Sequence, residues 1–104
     1  MAEQLTTGDT KTIKLEPILP PDSTNVSIAS ADYGAPPAPV VADDRMSVTF
    51  TVRDGLHTLV ITLASRSESE ETWQLMLDGG QVAMVTVSQH AGVGAINING
   101  TKAQ

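Results

Sequence analysis

The sequence predicts an all-β chain, a sandwich of about seven short antiparallel strands, on three observations. The first is the stretch from Ser47 to Leu63, where two runs of alternating apolar and polar residues flank Asp54-Gly55, the dipeptide favoured in two-residue hairpin turns. The second is composition. Aromatic residues are limited to Tyr33, Phe50 and Trp73, so the core must be built from Val, Ile, Leu and Met, with Thr filling solvent-facing strand positions. β-Branched side chains lose less in a pleated sheet than in a helix. The third is that no stretch keeps a 3.6-residue apolar period, while turn-forming clusters recur between short runs.

The elements follow in chain order. Residues 1–7 are polar and weakly patterned, and read as a mobile N-terminal arm. Thr10 to Leu15 alternates with Ile13 and Leu15 inward, and Pro17 then ends that strand or marks it as an edge. Pro20-Pro21-Asp22-Ser23-Thr24-Asn25 is turn chemistry. Val26 to Ala31 reads as a second strand in which Val26 and Ile28 share a face. Gly34 to Pro39, rich in proline, reads as an extended connector, after which Val40 and Val41 re-enter a strand that Asp43-Asp44 turns.

In the central segment, a two-residue loop at Asp54-Gly55 places Arg53 opposite Leu56, Val52 opposite His57, Phe50 opposite Leu59 and Val48 opposite Ile61. Val48, Phe50, Val52, Leu59, Ile61 and Leu63 then share one face, and a one-residue slip would destroy that match. Ser65 to Glu71 reads as a charged, solvated loop that includes Glu68, Glu70 and Glu71. Trp73, Leu75 and Leu77 then alternate toward Asp78-Gly79-Gly80, and Val82 to Val87 returns as a second hairpin. A two-residue loop aligns that return with Val82 and Met84, a three-residue loop with Ala83 and Val85. Gly92-Val93-Gly94 reads as a flexible joint, and Ala95 to Asn99 as a last strand with Ile96 and Ile98 inward.

A chain of 104 residues is long enough for one core, so residues 1–104 read as a single domain in which 66–104 add strands or an extension. The net charge of −6, with six Lys and Arg spread thinly, offers no basic patch for nucleic acid and none for an anionic membrane. With no cysteine there is no disulfide scaffold, thiolate zinc site or cysteine nucleophile. The start Met1-Ala2-Glu3-Gln4 has neither the basic nor the apolar region of a signal peptide.

The chemistry-bearing residues have plainer readings. His57 and His90 are the only histidines, and half-burial at a turn end accounts for His57. No Gly-x-Ser-x-Gly elbow is present. Gly92-Val93-Gly94 lacks the third glycine and the helix that a phosphate cradle needs. Asp43, Asp44 and Asp54 could serve calcium, but no Asp-x-Asp-x-Asp-Gly run exists and hairpin turns use Asp for backbone reasons. Asn25-Val26-Ser27 and Asn99-Gly100-Thr101 match the short glycosylation pattern. Trp73 could stack on a sugar, although its alternation with Leu75 and Leu77 fits a core position. No catalytic, cofactor-binding or metal-binding residue is assigned, and no cofactor is expected.

Several segments together resemble the bacterial Ig-like domains of group 2. They are the opening Gly8-Asp9-Thr10-Lys11-Thr12-Ile13, the Pro20-to-Asn25 turn, Ala29-Ser30-Ala31-Asp32 after the next strand, and Gly55 to Thr62 as the closing strand. The match spans roughly Gly8 to Ser65. The family's usual tryptophan before the Ser-Ser-Asp element is missing, Ile28 lying in that region, and the proline-rich connector is unusual there. The resemblance implies an Ig-like β-sandwich with no catalytic residues to carry over. It also implies a spacer, an adhesion module or an appendage of phage tails and capsids, with function in surfaces and loops.

The expectation is therefore a non-enzymatic structural or interaction module, a phage-type virion component such as a capsid decoration or tail-associated protein. It would be made in the cytoplasm and bind capsid or tail proteins, with homo-oligomerisation possible. The alternative is a carbohydrate-binding or adhesin domain at the bacterial cell surface as part of a larger protein, using Trp73, Tyr33 and the loop asparagines.

Overall fold

The structure, a computed structural model, describes residues 3–34 and 37–102. Ala35 and Pro36 of the expected connector lie outside the described residues, as do Met1 and Ala2 of the expected arm. The described residues form nine strands and no helix. They are β1 (Glu3–Thr6), β2 (Thr10–Leu19), β3 (Val26–Asp32), β4 (Val40–Val41), β5 (Ser47–Thr51), β6 (Gly55–Ser65), β7 (Glu71–Leu77), β8 (Gly80–Val87) and β9 (Ala91–Thr101). Two sheets pack as a β-sandwich, one of four strands in the order β1-β9-β6-β3, the other of five in the order β4-β5-β2-β7-β8. Every neighbouring pair is antiparallel except β1 with β9.

Alternation decides which residues meet between the sheets. Ile13, Leu15, Val48, Phe50, Trp73, Leu75, Val85 and Val87 point inward from one sheet. Val26, Ile28, Leu59, Ile61, Leu63, Ile96 and Ile98 point inward from the other. The inward faces expected for Ile13 and Leu15, Val26 and Ile28, and Ile96 and Ile98 are those observed.

The central segment is not a hairpin. β5 pairs with β2 and β4 in one sheet, whereas β6 pairs with β3 and β9 in the other. Val52, Arg53 and Asp54 carry the chain across the sandwich. Two backbone bonds tie this arch to the β1–β2 turn, from Val52 N to Asp9 O at 2.8 Å and from Gly8 N to Val52 O at 2.9 Å. Arg53 N donates to the Tyr33 hydroxyl at 3.3 Å. The two apolar faces were read correctly, but they oppose each other across the core instead of lying side by side. A side-by-side pair would still need another layer to cover its apolar face, and the arch supplies that cover directly.

Other expectations change for similar reasons. The segment read as an arm contributes β1, which lies parallel to the end of β9. Pro17 does not end its strand, since β2 continues to Leu19 with a register shift between Pro17 and Leu19. Leu15 N donates to Met46 O on the β5 side. By alternation Pro17 turns the same way, beyond the start of β5, where its missing N–H leaves no ladder bond unmade. The β7–β8 hairpin uses both proposed registers. Asp78 and Gly79, with φ of 52° and 82°, form the two-residue turn closed by Leu77 and Gly80. A bulge between Leu75 and Met76 on the β8 side then realigns Leu75 with Ala83 and Trp73 with Val85.

Gly92-Val93-Gly94 is no joint. It lies inside β9, where a Cβ on Gly94 would stand 2.6 Å from Val85 Cγ2 and 2.9 Å from Leu75 Cδ1. Absence of a side chain there lets β9 close against the opposite sheet. β8 and β9 leave a tight turn together, with Ser88 and Ala91 exchanging backbone bonds of 3.0 and 3.1 Å, and then part into the two sheets.

Candidate functional site

The residues that carried chemical possibilities in the sequence are not brought together. His57 is half-buried at the arch end of β6, its ring N–H donating to Asp54 O at 3.2 Å and its ring centroid 5.4 Å from that of Tyr33, the two rings tilted. His90 sits in the opposite β8–β9 turn, donating from Nδ1 to Ser65 O at 3.1 Å. Asp44 accepts from Met46 N at 3.0 Å, a turn-closing role. Among the described residues no group of three or more His, Asp or Glu side chains converges as a metal site would require. Trp73 and Tyr33 are both fully buried, so neither offers a ring face to a sugar.

The one buried charge among the described residues is Glu71, which lies in β7 and not in the solvated loop expected from Ser65 to Glu71. It opens β7 and shares the inward parity of Trp73 and Leu75. Its Oε1 accepts from the Ser23 hydroxyl and from Trp73 Nε1 at 3.2 Å, and its Oε2 accepts from Asn25 Nδ2 at 3.1 Å. Burial pushes the carboxyl's pKa up, but the bonds from Ser23, Asn25 and Trp73 outweigh it and hold the group below its ordinary value. This cluster fastens the turn before β3 to the start of β7. It also occupies the Asn25 amide that the glycosylation pattern had singled out. Three donors converge on one carboxylate, which makes the cluster an anchor.

Two shallow grooves are open to solvent. One runs along the outer face of β2 beside Lys14, Glu16 and Met76, with Lys11 bonded to Asp78 at 3.2 Å. The other lies at the arch between Gly8, Arg53 and His57. The Lys11–Asp78 contact is a surface ion pair, with Asp78 largely exposed.

What remains are surfaces, beginning with the sheet edges. β1 spans four residues and β4 two, both too short to template another strand. β3 is covered by the Arg45 loop, since Ile28 N donates to Arg45 O at 2.8 Å and Arg45 Nη1 donates to Ile28 O at 3.4 Å. β8 differs. Its eight residues, Gly80 to Val87, contain no charge and no proline, and Met84 is 61% exposed. Ladder alternation follows from the Leu15 bond to Met46: it turns Leu75 toward β8, and therefore turns the backbone groups of Met84 away from β7. Edge strands are ordinarily blunted by charge, proline, brevity, a bulge or a covering element. β8 has no charge and no proline, although it carries the bulge opposite Leu75 and Met76 and meets Gly92 of β9 at Thr86.

No family model matches the chain, and no curated protein or solved structure matches it either.

Proposed function

We propose that this chain is a non-catalytic interaction module of a larger assembly, docking through the free edge of β8, with a phage-type virion as its setting. The observation that carries the reading is β8 itself, an uncharged edge strand whose Met84 turns its backbone groups away from β7. A partner strand added there gains main-chain hydrogen bonds with little demand on sequence. The virion setting rests on the Ig-like resemblance. The strand orders β3-β6-β9 and β2-β5-β4 support it, because they follow the C-F-G and B-E-D orders of Ig-type sandwiches. In that plan β7 takes the place beside β2 that the first strand of an Ig domain holds. Residues 66–104, beyond the matched region, then supply both a substitute for that strand and the docking edge.

The test is co-sedimentation with capsids and tails of the phage or prophage whose genes flank the coding sequence. Wild-type protein is expected to bind, and Met84→Pro, which removes an outward N–H while sparing the β7 ladder, is expected to abolish binding with the melting temperature nearly unchanged. A protein with no affinity for either particle sinks the reading, as do flanking genes unrelated to virions.

A further inference from the structure

We propose that Asp78 is a site of spontaneous backbone modification in the folded chain, its linkage to Gly79 converting to an isoaspartyl one through a cyclic imide. The chemistry needs no partner and stands apart from docking at β8.

Three Asx-Gly dipeptides occur in the sequence, Asp54-Gly55, Asp78-Gly79 and Asn99-Gly100. All three are open to the same reaction, because glycine has no side chain to shield its nitrogen or restrict its backbone. That nitrogen attacks the carbonyl carbon of the preceding side chain and closes a five-membered imide. Asp loses water in this step and Asn loses ammonia. Water then opens the ring at either carbonyl. Opening at the side-chain carbonyl leaves an ordinary aspartate, and opening at the main-chain carbonyl routes the chain through the side-chain carbon. Water is the only co-reactant. Two conditions control the rate: the glycine N–H must be free, and the peptide between the two residues must be able to turn toward the side chain.

The fold denies both conditions to two of the sites. Gly55 and Gly100 lie opposite each other in the β6–β9 ladder. In the same register Ser65 N donates to His90 O at 3.1 Å, so alternation makes Gly55 and Gly100 a pair that exchanges both backbone bonds. Each attacking nitrogen is therefore tied to the other glycine's carbonyl. Gly100 is also buried, and a Cβ on it would overlap the Arg53 carbonyl, which leaves the Asn99-Gly100 peptide no room to turn. The Asp54-Gly55 peptide is held by the bond from the His57 ring to Asp54 O at 3.2 Å.

Asp78-Gly79 escapes these restraints. The two residues form the turn beyond the Leu77–Gly80 pair that closes it, so Gly79 has no place in the ladder. Among the described residues its N–H donates to no backbone carbonyl outside the strands. The space around it is open, with nothing within 4 Å of where a Cβ would stand. The Asp78 carboxylate is largely exposed and meets Lys11 Nζ at 3.2 Å, a surface pair of the kind that restrains weakly. Conversion adds one carbon to the main chain within a two-residue turn, which loosens the hairpin at Gly80 and Gln81.

The test incubates the full chain in warm neutral buffer for several weeks, beside a sample unfolded in urea. Mass spectrometry that separates aspartyl from isoaspartyl peptides then gives a folded and an unfolded rate for each site. Asp78 is expected to keep the largest share of its unfolded rate, with Asp54 and Asn99 slowed at least about tenfold more, since they react only after local opening of the ladder. A second arm removes the difference in leaving group. In Asp78→Asn, whose Asn-Gly turn suits the same hairpin, position 78 is expected to lose ammonia at least about tenfold faster than Asn99 in the same folded molecule.

The proposal is overturned if Asp54 or Asn99 keeps as large a share of its unfolded rate as Asp78. It is overturned equally if positions 78 and 99 of Asp78→Asn lose ammonia at the same rate, or if isoaspartate forms at Asp78 in urea and not in the folded chain. Particle binding enters neither arm, so the docking reading stands or falls separately.

Discussion

Glu71 shows how far a single residue can be read. Three carboxylates in a run of serines suggest solvent, yet Glu71 shares the two-residue parity of Trp73, Leu75 and Leu77, and parity places it inward. What parity could not supply was its partners, because Ser23 and Asn25 lie 48 and 46 residues away. The carboxyl is held below its ordinary value in the fold and returns to that value on unfolding. Its contribution is therefore complete above the ordinary value and disappears as pH falls through the lower, folded one. Thermal melts from neutral pH down past about pH 4 should show an acid loss of stability that Glu71→Gln flattens. Glu71→Ala, which strands Trp73 Nε1 and the Asn25 amide, should cost roughly 2–3 kcal/mol by urea unfolding at neutral pH. Phe50 is the complementary apolar case, 2% exposed and tilted against Tyr33 at 5.3 Å. Phe50→Ala should destabilise by roughly 3–5 kcal/mol, and a change near zero would mean the ring does not fill the core.

At the scale of elements, strands and their inward faces were legible, and strand partners were not. The alternation on either side of Asp54-Gly55 is compatible with a hairpin and with an arch, because both bury the same side chains. The choice falls to competitors outside the segment. β2 offers β5 a five-residue ladder, and β9 offers β6 a ten-residue one. The β7–β8 turn had no such competitor on its inner side and formed as its local chemistry directs. Gly92 and Gly94 were misread for the same reason, since a glycine pair suggests a bend until the opposite sheet is seen packed against it. Gly94→Val should therefore destabilise by roughly 2–3 kcal/mol through overpacking against Val85 and Leu75, a loss measurable in a denaturant titration. A flexible joint would show almost none.

The whole molecule is an elongated body, 47 × 22 × 19 Å, in which chain ends far apart in sequence close one sheet. β1 joins β9, Leu5 packs against the core from that edge, and Thr7 N donates to Thr101 O at 2.8 Å. Deleting residues 1–6 should lower stability by roughly 1–2 kcal/mol, whereas loss of a mere arm would leave the melting temperature in place. At this scale the function proposed follows from what is left over after folding. The edge at β8 is long and uncharged, a product of strand order, because order decides which strand is outermost.

By itself the sequence determined the all-β class, the position of most strands and the side chains each turns inward, since a period of two and turn chemistry are local properties. Tertiary structure alone decided which strands pair, that β5 and β6 part across the core, that Glu71 meets Ser23 and Asn25, and that β8 is left at an edge. Those outcomes depend on ladders and contacts between residues distant in the chain, where the free energy of closing one pairing over another is set by every other segment at once. The Asp54-Gly55 segment kept its faces and changed its neighbours, because side-chain direction is local to a strand and hydrogen-bond partnership is not.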